Sequence, residues 1–527
     1  MTRELKKIKM PEVLLFNQYF SSPKDSSEII LATMPINLLA LASYMKTKGI
    51  ECRIYELGGF DLEQAAIEGL RFRCGLSDEE ITEIIKKENP RIIGLGCLYS
   101  MHYIDVLAIA RLIKKVNPTI KVVLGGNHAT IFAESILKDD ALDFVVMGEG
   151  ELTFFELCKA IFSENPNFNS INGLAFKDNR RNVLVNSQRE LIANLDTLPQ
   201  MDYSLLDVRK YAQRNKRNPY LMRSPVLGIV TSRGCPGKCV FCTVKAVWGR
   251  TWRGRSAKKT VDEIALLYNN YGIREFSFLD DSASLNKKRW LDICEEIISR
   301  KLNIRWTTPN GIAHWTLNKP ILKKMKQSGC YRITFGIESG SQETRLFIGK
   351  DSSLSQAREM IQYANRIGMW TICTNIIGFP YETRAAVDDT IKFVKQSGAD
   401  FATFYLLSPH MTSDVYSYFE REGLIDFSSI FKENKLDEAQ YEAMYKILNE
   451  GGLATKYFTR DQLRKIQVEA YRSFIIRRVA TYLTLIPLLR KIHSLEDARY
   501  VLRLLFNGLK IVLKSFTMKS TKDLLYN

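Results

Sequence analysis

No window of the sequence holds the ~18 or more uninterrupted apolar residues that a membrane-spanning helix requires. There is no positively charged start followed by an apolar stretch and a small-residue cleavage site, so no secretory signal peptide is expected. Low-complexity segments and short tandem repeats are absent too. Apolar residues at 46% and charged residues at 25% are ordinary globular usage. That balance excludes a mainly disordered chain, a collagen-like repeat and a disulfide-stapled miniprotein. Histidine is scarce, at 5 in 527 residues. The reading is a cytoplasmic protein, at most peripheral on a membrane, with length for three or four domains of ~150 residues.

What the chain has in excess is positive charge, and its placement is uneven. The formal net charge is +17, and residues 456–527 alone carry 15 basic against 5 acidic side chains. A nucleic-acid binder more often spreads its basic residues over a recognition surface, so no nucleic-acid partner is expected and the tail calls for a local explanation. Of the ten cysteines, seven stand singly in mostly apolar contexts and read as small core residues. The other three, Cys235, Cys239 and Cys242, crowd within eight positions. In a cytoplasmic protein that crowding points to metal or redox chemistry rather than a disulfide framework.

The first third alternates short apolar runs (13–16, 52–55, 92–96, 122–124, 144–147) with helical stretches, one of them ending near Lys87. Such alternation predicts parallel βαβ units in an open doubly wound sheet, which takes ligands outside the carboxyl ends of its strands. Residues 166–222, rich in Asn, Asp, Arg and Pro, read as a linker with a small hairpin. A second βα series has strands at 227–231, 275–279, 304–308, 331–337, 370–377 and 402–407, with glycine stops before most of them. Six such units fit a partial (β/α)6 barrel, whose chemistry gathers at the carboxyl ends of the strands. The predicted α/β organisation is 10–165, an N-terminal doubly wound domain; 166–222, the linker; 223–410, the barrel; and 411–527, a helical basic C-terminal region.

The loop Thr231-Ser232-Arg233-Gly234-Cys235-Pro236-Gly237-Lys238-Cys239-Val240-Phe241-Cys242 follows the first barrel strand. Three thiolates can hold three irons of a four-iron cube and leave the fourth for a small molecule. The alternative is a zinc knuckle, which usually needs a fourth Cys or His at short spacing; none of the histidines is near in sequence.

Cys-x3-Cys-x2-Cys, with an aromatic before the last Cys and after strand one of a barrel, resembles the radical S-adenosylmethionine (SAM) superfamily. Gly125-Gly126-Asn127-His128 and Gly148-Glu149-Gly150-Glu151 resemble the glycine turns of a flavodoxin-like cobalamin-binding domain that precedes the barrel in one branch. Trp252-Arg253-Gly254-Arg255-Ser256, Phe278-Leu279-Asp280-Asp281, Gly336-Ile337-Glu338-Ser339-Gly340 and Gly378-Phe379-Pro380-Tyr381-Glu382-Thr383 are similar to the same branch. The branch includes methylases and an anaerobic cyclase.

The resemblance implies three cofactors: a [4Fe-4S] cluster on Cys235, Cys239 and Cys242, SAM on the open iron, and cobalamin. It places Phe241 against the adenine, with plain core packing as the alternative. It brings Asp280 and Asp281 to the SAM amino group, where an Asx turn or helix cap is the competing role. Glu338 and Ser339 would hold a ribose diol or ammonium group, against an exposed acid at a strand end. Asn375 would contact SAM from strand five. For cobalamin it points to Ser100, Gly125, Gly126, His128, Gly148 and Glu149. Ser100 reads more readily as a helix cap, and His128 as a contact to the cofactor periphery, a cap or a structural residue. The Asp-x-His-x-x-Gly signature of cobalt-ligating proteins is missing, so no histidine ligand on cobalt is expected.

The implied reaction is methyl transfer from methylcobalamin to an unactivated carbon, or to a phosphinate, by way of a 5′-deoxyadenosyl radical. Ring formation or oxidation without methyl transfer is the second reading, and a metal-bearing sensor or RNA-binding module the third. Partners would be a small-molecule or lipid substrate and an electron donor of the flavodoxin or ferredoxin type. In the tail, Arg499, Arg503, Asn507, Lys510 and Lys514 recur at helical spacing beside an apolar stripe. That pattern suits either a helix docked on the barrel or peripheral contact with an anionic membrane.

Overall fold

Apolar runs too short for helices become strands buried on both faces, and the computed structural model describes them within residues 12–23, 32–61, 65–68, 71–213, 218, 220–425 and 438–517. Two compact units emerge, one of residues 1–193, 197–211 and 428–442, the other of 194–196, 212–427 and 443–527.

In the first unit, β1 (Val13–Asn17), β2 (Cys52–Glu56), β3 (Ile92–Gly96), β4 (Lys121–Gly125) and β5 (Phe144–Val146) run parallel in the order β2-β1-β3-β4-β5. Helices α1 (Ile36–Thr47), α2 (Asp78–Glu88), α3 (Tyr103–Val116), α4 (Asn127–Ile136) and α5 (Gly150–Phe162) complete the crossovers. This is the flavodoxin-like order, which reverses between β1 and β3 and opens a ligand crevice at the carboxyl ends there.

Two stretches differ from the sequence reading. The helix ending near Lys87 is confined to α2 by a capping box at Ser77 and Glu80. Before it, Ala65–Glu68 and Arg71–Cys74 pair antiparallel with each other, and Phe20–Pro23 joins them as a third strand. Within 166–222, the hairpin β6 (Leu174–Lys177) and β7 (Val183–Val185) is no appendage of a linker. It extends the main sheet antiparallel from β5, because Leu174, Ala175 and Phe176 are fully buried there.

The second unit holds β8 (Val226–Ile229), β9 (Glu275–Phe278), β10 (Arg305–Ile312), β11 (Cys330–Glu338), β12 (Trp370–Ile377) and β13 (Phe401–Leu406), all parallel and in chain order. Between them lie α6 (Ala257–Tyr271), α7 (Lys287–Ser299), α8 (Lys319–Gln327), α9 (Leu354–Arg366) and α10 (Arg384–Ser397). Each starts on a Ser, Asn or Thr whose side chain accepts from a backbone N–H of the first turn. This is the partial (β/α)6 barrel.

The C-terminal region is helical: α11 (Asp414–Arg421), α12 (Glu438–Glu450), α13 (Arg460–Tyr482), α14 (Ile486–Leu489) and α15 (Leu495–Thr517). Helix α13 covers the edge strand β13, where Tyr471 Oη accepts from Phe404 N at 3.1 Å and Gln467 Nε2 donates to Phe404 O at 2.6 Å. A bare edge would otherwise offer unpaired backbone groups. Helices α14 and α15 close the amino-terminal end of the barrel, where Leu488, Tyr500, Val501 and Leu504 pack on Met222, Tyr331 and Trp370. Lys491 fixes them there, its ammonium buried against Asp400 Oδ2 at 2.8 Å. No helix among the described residues is long and apolar enough to cross a membrane.

Candidate functional site

The cysteine loop leaves the carboxyl end of β8 and is closed at its base by a two-stranded ribbon pairing Ser232 with Gly254 and Arg233 with Arg253. Gly234 takes φ +85, and a Cβ there would lie 2.1 Å from Thr251 O, so the turn into the loop admits only glycine. Two carboxylates at the end of β9 hold the root. Asp280, fully buried, accepts at Oδ1 from Thr231 N at 3.0 Å, from Thr231 Oγ1 at 2.8 Å and from Ser232 Oγ. Asp281 Oδ2 accepts from Gly234 N at 3.0 Å. Both acids therefore root the loop, whose donors occupy two of the four carboxylate oxygens, and Asp280 Oδ2 is buried with no protein partner.

Cys235, Cys239 and Cys242 are half-buried, whereas the other seven cysteines are fully buried. Gly237 N donates to Cys235 Sγ at 3.4 Å, and a Cβ on Gly237 would lie 3.3 Å from Cys235 Sγ and 3.9 Å from Cys239 Sγ. Two of the three sulfurs therefore lie beside that glycine. Burial pushes the Cys242 thiol up to about 11, with the neighbouring Cys239 and Cys235 adding to it. Burial also raises Cys239, against the pull of Lys350. A metal centre bound here must therefore displace protons from the thiols. Three thiols with no histidine or carboxylate among them suit iron–sulfur ligation with one iron left open.

Lys350 is a residue the sequence reading missed. Its ammonium meets Glu338 Oε1 at 2.8 Å, both side chains being about nine-tenths buried. Ile348 O accepts from Val240 N at 3.1 Å, which lays this segment along the cysteine loop. Glu338, at the carboxyl end of β11, adopts φ +66, a left-handed conformation costly for a residue with a Cβ and typical of functional sites. Gly336 makes the room: a Cβ there would fall 2.7 Å from Glu338 Oε1 and 3.1 Å from Lys350 Nζ.

The remaining residues assigned to SAM divide. Asn375, opposite Glu338 in the sheet register, donates from Nδ2 to Thr403 O at 3.1 Å and keeps a buried Oδ1 with no protein partner. Phe241 is half-buried, its ring 6.1 Å from Phe379. The Gly378-Phe379-Pro380 turn is held by Glu382, whose Oε2 accepts from Gly378 N at 2.8 Å. Ser339 is different. It is fully buried, its Oγ 3.0 Å from Thr390 Oγ1 and accepting from Ser341 N at 3.1 Å, so it shapes the turn.

In the first unit, Gly125 ends β4, and Gly126 at φ +100 brings the chain against the end of β3, where a Cβ would lie 2.5 Å from Cys97 O. Gly148, just past β5, has no atom within 4 Å of where a Cβ would lie, an open spot for a bulky ligand at the strand ends. Its N–H donates to Thr130 Oγ1 at 2.9 Å. Three of the residues assigned to cobalamin have protein partners here. Ser100 caps no helix; its Oγ lies 2.8 Å from His128 Nδ1. His128 is fully buried, with Tyr103 and Phe132 ring centroids at 4.4 and 4.9 Å, and burial lowers it to about 3. It is a neutral core histidine. The Glu149 carboxylate is turned to Ile192 N at 2.6 Å, fastening the segment after the hairpin.

Comparison with known proteins falls on these same segments. The family model of the radical SAM superfamily matches residues 229–394, and that of the B12 binding domain matches 29–158. The chain is 34% identical over 452 residues to an uncharacterized methyltransferase of Pyrococcus horikoshii, covering 85% of this chain and 92% of that protein. It is 28% identical over 506 residues to the cytidylyl-2-hydroxyethylphosphonate methyltransferase of Streptomyces wedmorensis, covering 89% and 91%. Among solved structures it resembles that of the radical SAM methyltransferase TsrM from Kitasatospora setae with cobalamin and [4Fe-4S] cluster bound. The TM-score is 0.68 at 16% identity, over 96% of this chain and all of the other.

Proposed function

This chain belongs to the cobalamin-binding radical SAM family, and from that premise we propose that it is a methyltransferase acting on an unactivated carbon, or on a phosphinate, of a small molecule. The observation that carries the reading is the three-thiol loop rooted by Asp280 and Asp281, with the Glu338–Lys350 pair laid beside it. When bound, the cluster and SAM supply radical chemistry and cobalamin supplies methyl transfer. Cys235, Cys239 and Cys242 would hold the cluster. Glu338 would accept hydrogen bonds from SAM, and Lys350, already paired with it, fixes the direction of that carboxylate. Asn375 Oδ1 offers a second buried acceptor one strand away. Phe241 and Phe379 shield the site from water on one side. Gly125, Gly126 and Gly148 would let cobalamin approach the strand ends of the first unit.

The electron would come from a reduced flavodoxin or ferredoxin. A lipid-like substrate belongs to the same reading, as does peripheral contact with a membrane through the C-terminal helices.

Anaerobically reconstituted protein given reductant and methyl-labelled SAM tests the reaction without knowledge of the substrate. Label is expected on the bound cobalamin, and 5′-deoxyadenosine is expected among the products. Cleavage of SAM with no label on cobalamin would favour ring formation or oxidation, and no cleavage at all would overturn the reading.

Gly336→Ala tests the Glu338 assignment. Its Cβ collides with both Oε1 of Glu338 and Nζ of Lys350, so the KM for SAM is expected to rise about tenfold, which is about 1.4 kcal/mol. Iron content should stay as it is. An unchanged KM would remove Glu338 from the SAM site.

A further inference from the structure

Twelve of the twenty-four large apolar side chains exposed among the described residues lie between Ile476 and Leu509. Helix α15 shows how they come to be outside. Tyr500, Val501 and Leu504 face the barrel floor and are buried, while Leu495, Leu502, Leu505, Phe506 and Leu509 recur at helical spacing on the opposite side, 45–80% exposed. At roughly 100° per residue, Arg499 and Arg503 fall along one flank of that apolar stripe, Arg503 also donating to Met222 O at 3.3 Å. The corner between α13 and α14 adds Leu483, Leu485, Ile486 and Leu489, each more than half exposed. Leu485 is at φ +60, so the turn itself presents an apolar side chain to solvent.

The floor is basic as well as apolar. Arg477, Arg490, Arg499 and Arg503 are exposed. The two acids of this stretch are engaged: Glu496 pairs with Arg223 and Arg305, and Asp497 is buried beneath His493 N and Ser494 Oγ. An exposed apolar patch of this extent marks an interaction surface.

We propose that the barrel floor docks peripherally on an anionic lipid bilayer, with the α15 stripe and the α13–α14 corner entering the headgroup boundary and the flanking arginines meeting lipid phosphates. A basic amphipathic face is what such a surface binds. A second copy of this chain fits it poorly, because two identical faces would bring like-charged arginine rows together. The inference gives a surface and a lipid chemistry to the peripheral contact named above. It stands apart from the methyl-transfer chemistry, since it is read without turnover.

The test is flotation of the full-length protein with phosphatidylcholine vesicles, with and without phosphatidylglycerol. Binding is expected only with phosphatidylglycerol and should weaken with salt. Arg490→Gln combined with Arg499→Gln should cost about tenfold or more in partitioning. Leu502→Ser with Phe506→Ser should abolish it, and both variants should cleave SAM in solution like the parent, which separates failure of this proposal from failure of the functional reading. Phe506→Trp should give a blue shift on the same vesicles alone. Equal binding to both vesicle types, no binding to either, or binding indifferent to these substitutions overturns the proposal. So does a doubled sedimentation mass that Leu502→Ser with Phe506→Ser removes, which would make the occupant a second copy.

Discussion

Cys239→Ser is expected to fold, to purify anaerobically with little iron, and to cleave SAM at least about a thousandfold more slowly than the parent. The substitution changes one atom in a half-buried loop residue. What holds the loop does not include that sulfur: Asp280 grips Thr231 and Ser232, Asp281 grips Gly234, and the ribbon closes the base. The scaffold should therefore survive while the ligand set drops from three thiolates to two. A hydroxyl is a poor, hard ligand for iron and does not ionise at neutral pH. Iron and sulfide analysis, the broad visible absorption of the cluster, and 5′-deoxyadenosine yield are the readouts. Cys294→Ser is the control. Cys294 is buried in the core of α7, so that variant should lose some stability and keep its iron and its cleavage. If Cys239→Ser retained full iron and full cleavage, the assignment of the loop would fall.

The second large effect is on stability. Asp400 begins the approach to β13 and gathers five donors: Thr371 N and Oγ1 and Lys491 Nζ at Oδ2, Tyr482 Oη and Asn365 Nδ2 at Oδ1, all within 2.9 Å. Burial by itself would push the carboxyl up, but the Lys491 ammonium against it, reinforced by Arg478 and the Tyr482 hydroxyl, holds it below the usual carboxylate range. Both partners have no exposed side-chain surface. Lys491→Met keeps the bulk and removes the charge, leaving a buried carboxylate uncompensated. The expected cost is about 3–5 kcal/mol, or a fall in the melting temperature of the barrel of roughly 10 °C. With a depressed folded-state value, the Asp400 contribution is present above its ordinary range and is lost as pH falls through that depressed value. The parent should accordingly lose it only in acid. In Lys491→Met it should already be missing at neutral pH, where the carboxyl is driven towards its protonated form. Asp400→Asn added to Lys491→Met should recover much of the loss, because the two residues act as one unit. A melting temperature unchanged by Lys491→Met would mean that the pair does not anchor the helices.

Much of this was legible before any coordinates, and the misses have physical causes. Short apolar runs, glycine stops and the cysteine spacing are local signals, and they located the sheet, the barrel and the loop. Side-chain direction at a strand end is not local. Asp280 and Asp281 turn to loop amides and Ser339 to Thr390, partners that the strand-end pattern does not announce. Lys350 lies on an unpatterned turn, and its pairing with Glu338 depends on a backbone conformation that sequence periodicity does not encode. Residues 65–74 alternate too weakly to announce a ribbon, and they pair because Phe20–Pro23 supplies a third strand from far away in sequence. In the tail the docked-helix alternative is what the fold adopts, and basic spacing alone could not reveal that Lys491 is buried or that Arg478 and Arg503 reach back to backbone carbonyls of the barrel.

Because aromatic and aliphatic side chains stopper the amino-terminal end of the barrel, no ligand threads through it from that end. The spent fragments of one SAM have to depart before the next can be seated, so they should compete with fresh SAM for entry and throttle repeated turnover. With the stoppered end on a lipid leaflet, the carboxyl ends of the barrel strands would face the aqueous side.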